Sequence, residues 1–524
     1  MRQFLLATGV GHWVLPALTL WPAAAALMVH MAGRDASRED INGELPSDGV
    51  DARLLTLIAL MIEAVLGLVL WCAFDPESRG WQARVDWPWL VDLGASFSVG
   101  VDGLSLPMVV VTVLLLPLAL LGSWDNVRVR TPTFGALILL LTSGLVGVLV
   151  SLDLLLFYLA WELVLIPTYF LIGVWGTGAA ARASLRYVLF TMAGSLLMLV
   201  AIVALWHAGG GTSFHLDHLR GVQLDVQTQL LMFGAFFLAF AVKSGLVPLH
   251  TWLPDAQRSA PTMVAVTVGI KVGVYAILRF AIPLFPAAVT NSAVRTTMLL
   301  LSVITIVYGA LVAAAQRDVK RLMSYSSISH LGFIMLGVFA LTPLGVQGAA
   351  LMMVNHSISS SAVFLLLGML QDRGGTVDMR EYGGLARVVP LFSIMLTLGI
   401  LSTFGLPGTS GFVGEFLVLL GSYAFVPGLT MAATSGVVLA AVYGLRLLQG
   451  LLLAPLDAPA NRALTDLNPR ELAVMTVFAA GILWMGIAPG FLLRRVEPAT
   501  RGMIEATRFG LNAPVGQAPS NGAR

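Results

Sequence analysis

Glu162, Lys243, Lys271, His356 and Glu415 each interrupt an apolar stretch long enough to lie within a hydrocarbon layer, and His330 sits near the start of another. Ionisable groups at that depth cost about 2.5–3.5 kcal/mol on insertion scales, and they persist where they pair or line a hydrated path. Carboxylate, ammonium and imidazole can all titrate near neutrality when partly buried, so a row of them on successive spans can pass protons. Taken singly, each has a plainer reading: a glutamate can be half of a helix-pairing salt bridge, and a histidine can hold an interhelical hydrogen bond. The distribution of cations favours chemistry. Of the 30 basic residues 27 are arginine, and the only lysines are Lys243, Lys271 and Lys320. A buried lysine can give up its proton, whereas arginine stays charged. An arginine-biased genome accounts for the scarcity of lysine, but not for two of the three lying inside hydrophobic segments.

The elements that position these groups are membrane helices. The 524 residues are 57% hydrophobic and 11% charged, with a mean hydropathy of +0.87, more apolar surface than a soluble fold can hide. A span takes about 20 apolar residues. Fourteen candidates begin near Val10, Arg53, Val101, Pro132, Asp153, Ser184, Gln227, Ala260, Val294, Met323, Val346, Val389, Pro427 and Arg470. The first, interrupted by Pro16 and Pro22, reads as a retained span rather than a cleaved signal. The seventh carries Lys243 just before Gly245 and Pro248, and the twelfth carries Glu415 just after the Gly405 to Gly411 interruption. Proline removes a donor and frees carbonyls, which inside a membrane is tolerable only beside protein or water. Either break alone is a packing kink as readily as a site, but paired breaks in corresponding halves point to an inverted repeat with a transport path.

The net charge of +2 indicates no nucleic-acid partner, and the single cysteine, Cys72, excludes disulfides and cysteine-ligated clusters. An acidic stretch from Gly33 to Ala52 has no evident role. Asp75 to Ser98 carries Trp81, Trp87 and Trp89, a density that suits a membrane interface. Residues from Glu497 onward, with Gly, Pro, Ala and Asn, read as a disordered tail. Sixteen Arg and Lys lie in the odd-numbered loops against four in the even ones, which are Arg79, Arg84, Arg220 and Arg295. By the positive-inside rule the odd loops are cytoplasmic and both termini external, although the arginines of the C-terminal tail argue the other way.

Several stretches together resemble one family, the proton-pumping antiporter-type subunits shared by respiratory complex I and the multisubunit sodium/proton antiporters. They are Val101 to Ser105, Trp161-Glu162-Leu163, Lys243 to Ala256 (KSGLVPLHTWLPDA), Asp318 to Phe333 (DVKRLMSYSSISHLGF) and Leu406 to Phe416 (LPGTSGFVGEF). The resemblance implies that Glu162 and Lys243 form an ion pair between the fifth and seventh spans. It implies also that Lys271 is the central relay, that His330 and His356 link onward, and that Glu415 ends the row. Glutamate at this last position resembles the M-type subunits of complex I, because the L-type, N-type and antiporter relatives typically carry lysine there. Pro261-Thr262 precedes Lys271 by nine residues, about one helical turn fewer than in those relatives.

The chain therefore reads as an all-α polytopic protein of about fourteen spans, with two inverted five-helix repeats and broken helices 7 and 12. Its expected parts are 1–131 (spans 1 to 3 with interfacial loops), 132–290 (first repeat), 291–455 (second repeat), 456–496 (span 14) and 497–524 (tail). The expected function is proton translocation in an NADH:quinone oxidoreductase of a bacterial inner membrane, beside L- and N-type neighbours. With no haem or dinucleotide motif, the chain should hold no cofactor, leaving NADH, FMN, iron–sulfur clusters and quinone to partner subunits. The rivals are a subunit of a sodium/proton antiporter or ion-coupled carbon-uptake complex, which lysine in place of Glu415 would favour, and a structural scaffold, which would have lost the titratable row.

Overall fold

The computed structural model describes residues 9–34 and 50–512. Residues 35–49 of the acidic stretch lie outside the described residues, as do 513–524. Among the described residues, thirteen helices are long and apolar enough to cross a membrane, from Val10–Ala32 to Pro469–Ile487. Two shorter apolar helices in tandem, Pro390–Thr403 and Ser410–Tyr423, occupy the place of the twelfth span, which completes the fourteen.

Burial sorts the spans. In an apolar 18-residue stretch of each, the eighth (Thr262–Leu284), tenth (Val319–Ala340) and eleventh (Pro343–Gly374) are 94% buried, against 39% for the second (Ala52–Ala73) and 33% for the fourteenth (Pro469–Ile487). Helices apolar all round belong at the centre of a bundle. The central three carry Lys271, His330 and His356, so the bundle places the polar groups at its axis. Around them stand the fifth (Leu154–Trp175), sixth (Ala180–Ala208), seventh (Val226–Ser244), ninth (Ser292–Ala315) and thirteenth (Pro427–Leu453) spans, each with an apolar outer face.

Segments flanking the odd loops are tied to one another. Arg258 donates to Asp318 at 2.5 Å, Arg321 to Asp255 at 2.7 Å, and Arg470 to Asp125 at 2.8 Å. Arg186 shares Asp255, and backbone hydrogen bonds from Val319 to Val377 and from Met379 to Arg317 join the chain at Asp318 and Asp378 as a short antiparallel bridge. The even loops are tied separately, with Arg84 bonded to Asp217 at 3.1 Å across the second and sixth. The two loop sets therefore occupy opposite ends of the bundle.

Two features differ from the expectation. The Trp-rich stretch folds as an antiparallel hairpin, β1 (Gln82–Leu90) against β2 (Ala95–Val101), with Trp87 stacked on Phe97 at 5.4 Å and Trp87 and Trp89 half-exposed. The tail is corrected more sharply: Gly490–Asn512 is a helix, so residues 497–512 are ordered. Its polar composition hid an amphipathic pattern, because Leu492, Val496, Thr500 and Ile504 recur at helical spacing and are buried.

Candidate functional site

Asp153 starts the fifth span as its N-cap, accepting from the backbone N–H of Leu155 at 2.9 Å and of Leu156 at 3.1 Å. Two turns on, the Glu162 carboxylate has one oxygen buried without a hydrogen-bond partner, and the Tyr158 hydroxyl on the preceding turn interacts with it. Lys243 lies in the last turn of the seventh span. That helix ends because Gly245 takes a left-handed φ of 75°, its N–H returning to Ala241 and Val242. The carbonyl of Val242 also accepts from the Trp252 indole at 2.8 Å, so this acceptor at the break is satisfied. Glu162 and Lys243 do not form the expected direct ion pair. The Lys243 ammonium instead bonds the Tyr187 hydroxyl at 3.0 Å and lies 5.8 Å from the Trp161 ring centre. Beside it is a cavity of about 20 Å³ lined by Thr168, Tyr187, Trp252 and Thr267, room for a water.

The eighth span is broken as well, which the sequence reading did not foresee. Its helices Thr262–Val268 and Val272–Ala276 are separated at Gly269-Ile270-Lys271, and Lys271 sits at the break with φ −85° and ψ 42°. Two glycines, Gly269 and Gly273, flank it and were the available signal. At Gly273 a Cβ would run into Ser244 and the backbone of the seventh span, so the two broken helices are in close approach there. The Lys271 side chain is buried, and its charge acts on both His330 and His356.

His330 on the tenth span and His356 on the eleventh have ring centres 5.0 Å apart. Neither nitrogen of His330, nor Nδ1 of His356, nor Oε1 of Glu415 has a partner. These three residues line one cavity of about 10 Å³ with Asn355, Ser359 and Ser402, close to the volume that one water centre needs. Glu415 projects into it from Ser410–Tyr423, the second half of the broken twelfth span. The fold thus gathers His330, His356 and Glu415 and sets Lys271 within electrostatic reach, while Glu162 and Lys243 stand on the fifth and seventh spans without a direct pair. Among the described residues, no His/Cys/Asp/Glu cluster could hold a metal ion.

Several polar groups were missed. Ser359, Ser402 and Ser410 form a hydroxyl triangle with sides of 2.7, 3.2 and 3.1 Å at the cavity wall, and Asn355 donates to the Ser410 carbonyl at 2.5 Å. The hydroxyl-rich run Ser357 to Ser361 in an apolar helix was their trace. Glu63, fully buried in the second span, has both carboxyl oxygens unpartnered. Asp102 pairs with Arg279 at 2.5 Å. Burial alone would raise the Asp102 pKa, but the Arg279 guanidinium and the backbone N–H groups of Ser105 and Leu104 hold it below the usual carboxylate range.

The sequence model of a family described as "NADH:quinone oxidoreductase/Mrp antiporter, TM" matches residues 151–440. A Rhodobacter capsulatus protein named NADH-quinone oxidoreductase subunit M is 36% identical over 506 residues, covering 94% of this chain and 96% of the relative. The Escherichia coli (strain K12) protein of the same name is 36% identical over 456 residues, covering 83% of this chain and 89% of the relative. A chain in the structure of respiratory complex I from Thermus thermophilus with bound NADH superimposes with a TM-score of 0.84 at 31% identity, covering 94% of this chain and 99% of that one.

Proposed function

Because this chain belongs to the NADH:quinone oxidoreductase/Mrp antiporter family of membrane subunits, and to its M-type branch, we propose that its buried row carries the protons the complex translocates. The chain is a multi-pass membrane subunit of an NADH:quinone oxidoreductase, with other antiporter-like subunits as neighbours in the membrane arm. The work is electrostatic. Quinone reduction elsewhere in the assembly drives a change in charge along the row, and each titratable group answers by taking or releasing a proton.

The observation that carries the reading is the cavity where His330, His356 and Glu415 meet, within reach of the Lys271 charge. Groups with unoccupied lone pairs around a space for one water can hand a proton on without moving the backbone. Glu162 and Lys243 act as the input group, in which a change of charge on Glu162 is felt by Lys243. Lys271 relays, the two histidines connect, and Glu415 loads the proton that leaves. The paired breaks at Gly245 and Gly405 support the two inverted repeats, 132–290 and 291–455, with 1–131 and 456–496 bracing them. NADH, FMN, iron–sulfur clusters and quinone belong to partner subunits, and the membrane is a bacterial inner membrane with both termini external. Glutamate at position 415 speaks against the sodium/proton antiporter reading.

Glu162→Gln tests the input. The carboxamide keeps the shape but cannot carry the charge, so coupled proton uptake into reconstituted vesicles should fall by at least about tenfold while native gels still show assembled complex. Normal pumping in the assembled variant would remove Glu162 from the mechanism.

A further inference from the structure

At the even-loop end of the bundle the structure encloses a cavity of about 420 Å³, far larger than those along the row. Its walls come from both flanks of the hairpin, the loop after the sixth span, the last turns of the eighth span with Pro286 just beyond, and the helix Gly490–Asn512. Arg79, Arg220 and Arg279 face it from three of these. Basic residues are scarce on this side, with only Arg79, Arg84, Arg220 and Arg295 in its loops, yet two of those four converge here. Positive charge on the translocated side of a membrane is disfavoured, so a cluster of it calls for a counter-charge.

Each of the three arginines has one acid of the chain within reach, but the pairs differ in how much of the guanidinium they occupy. Asp102, the one acid in the lining, is committed to Arg279, whose guanidinium also lies 4.5 Å from the Trp81 ring centre. Arg79 reaches Glu505 at 3.5 Å and Arg220 reaches Asp217 at 3.8 Å, and neither guanidinium makes a hydrogen bond among the described residues. Arg220 keeps its charge at neutral pH, as guanidinium does. Guanidinium offers five donors in a fork that matches a phosphate oxyanion. The remaining wall is apolar, with Leu104, Leu278 and Met503 beside the cations. Cations above an apolar wall at the mouth of a helix bundle match a phospholipid, with a charged headgroup and an acyl-glycerol body, better than a free ion.

We propose that this cavity binds the phosphate of an anionic phospholipid headgroup, held by Arg79 and Arg220 with the Arg279–Asp102 pair as its floor. The lipid would clamp Gly490–Asn512 onto the eighth span, supporting the broken helix that holds Lys271.

The test uses the assembled complex, delipidated in mild detergent and then offered vesicles of phosphatidylglycerol or of phosphatidylcholine, with bound lipid read by native mass spectrometry. The wild type should retain phosphatidylglycerol in preference to phosphatidylcholine. Arg79→Gln/Arg220→Gln should retain about tenfold less phosphatidylglycerol, since a charge-assisted hydrogen bond is worth about that factor. Arg494→Gln, which removes an exposed charge from the same helix outside the cavity, should retain it fully. If the double variant does not assemble, Arg220→Lys keeps the charge without the fork, and its retention should still fall below wild type. Equal retention by the wild type and whichever of these variants assembles, or no preference for the anionic lipid, would overturn the proposal. Displacement of the lipid by millimolar inorganic phosphate would assign the site to the free ion and overturn the lipid as its occupant.

Discussion

Two buried glutamates in this chain face different surroundings, and the difference decides what each is for. Glu415 opens onto a cavity shared with two histidines and a triangle of serine hydroxyls, so a proton on it has somewhere to go. If it is the terminal loading group, Glu415→Gln should abolish most pumping in assembled complexes, whereas Glu415→Lys should keep partial activity with a shifted pH optimum, because lysine can also be tuned toward neutrality. Intact pumping in the glutamine variant, assayed beside quinone reductase rate, would make Glu415 a structural carboxylate. Glu63 has no such outlet. Both its oxygens are buried without a partner, a cost of about 1–3 kcal/mol, and leucine fills a similar volume with no polar atom. Glu63→Leu should therefore raise the melting temperature of the solubilised complex and leave pumping unchanged. A variant that melts no higher, or that pumps less, would show that Glu63 has a partner or a proton of its own.

At the scale of the helix, the breaks matter more than the spans. Gly405 has φ 72°, and a Cβ there would collide with the Glu415 carboxylate, whereas Gly408 has φ 91° with open space around it. Alanine at either position strains the backbone by about 1–2 kcal/mol, but only at 405 does it also push on the proton-loading group. Gly405→Ala should thus depress pumping well below Gly408→Ala in complexes matched for assembly; equal losses would show that strain alone is at work. The seventh and twelfth breaks were legible because each places a charge beside Gly and Pro, residues whose backbone chemistry is unambiguous. The break at Lys271 was not. Gly269 and Gly273 are common in packed membrane helices, and only the close approach of the seventh span turns them into an interruption. The six titratable residues were legible one by one, since charge in an apolar run is conspicuous. Their grouping was not: nothing in the spacing reveals that Tyr187 stands where a carboxylate was expected against Lys243, or that serines from two spans close the Glu415 cavity. Those are contacts between segments more than 40 residues apart.

For the whole molecule the open question is which end faces the cytoplasm. Sixteen basic residues in the odd loops against four in the even ones favour the odd-loop end, and the structure gathers the odd loops at one end through Arg258–Asp318, Arg321–Asp255 and Arg470–Asp125. The arginines near the C-terminus were the one argument the other way. Most of them belong to the helix Gly490–Asn512, where Arg495 lies 4.1 Å from the Trp71 ring centre and Arg501 pairs with Glu497 at 3.1 Å. A segment that follows the last span weighs less than seven agreeing loops. That same helix reaches Arg79 of the second loop through Glu505, which fixes the C-terminal helix to the even-loop end. Orientation can be read by cysteine labelling in a Cys72→Ser background, needed because Cys72 is exposed. A cysteine placed between Arg373 and Arg387 should react with an impermeant maleimide only in inside-out vesicles, and one at Arg494 only in right-side-out cells. The reverse pattern at both positions would invert the molecule and discard the charge count. Reaction of both from the same side would contradict the fold itself, since the two positions lie at opposite ends of the bundle.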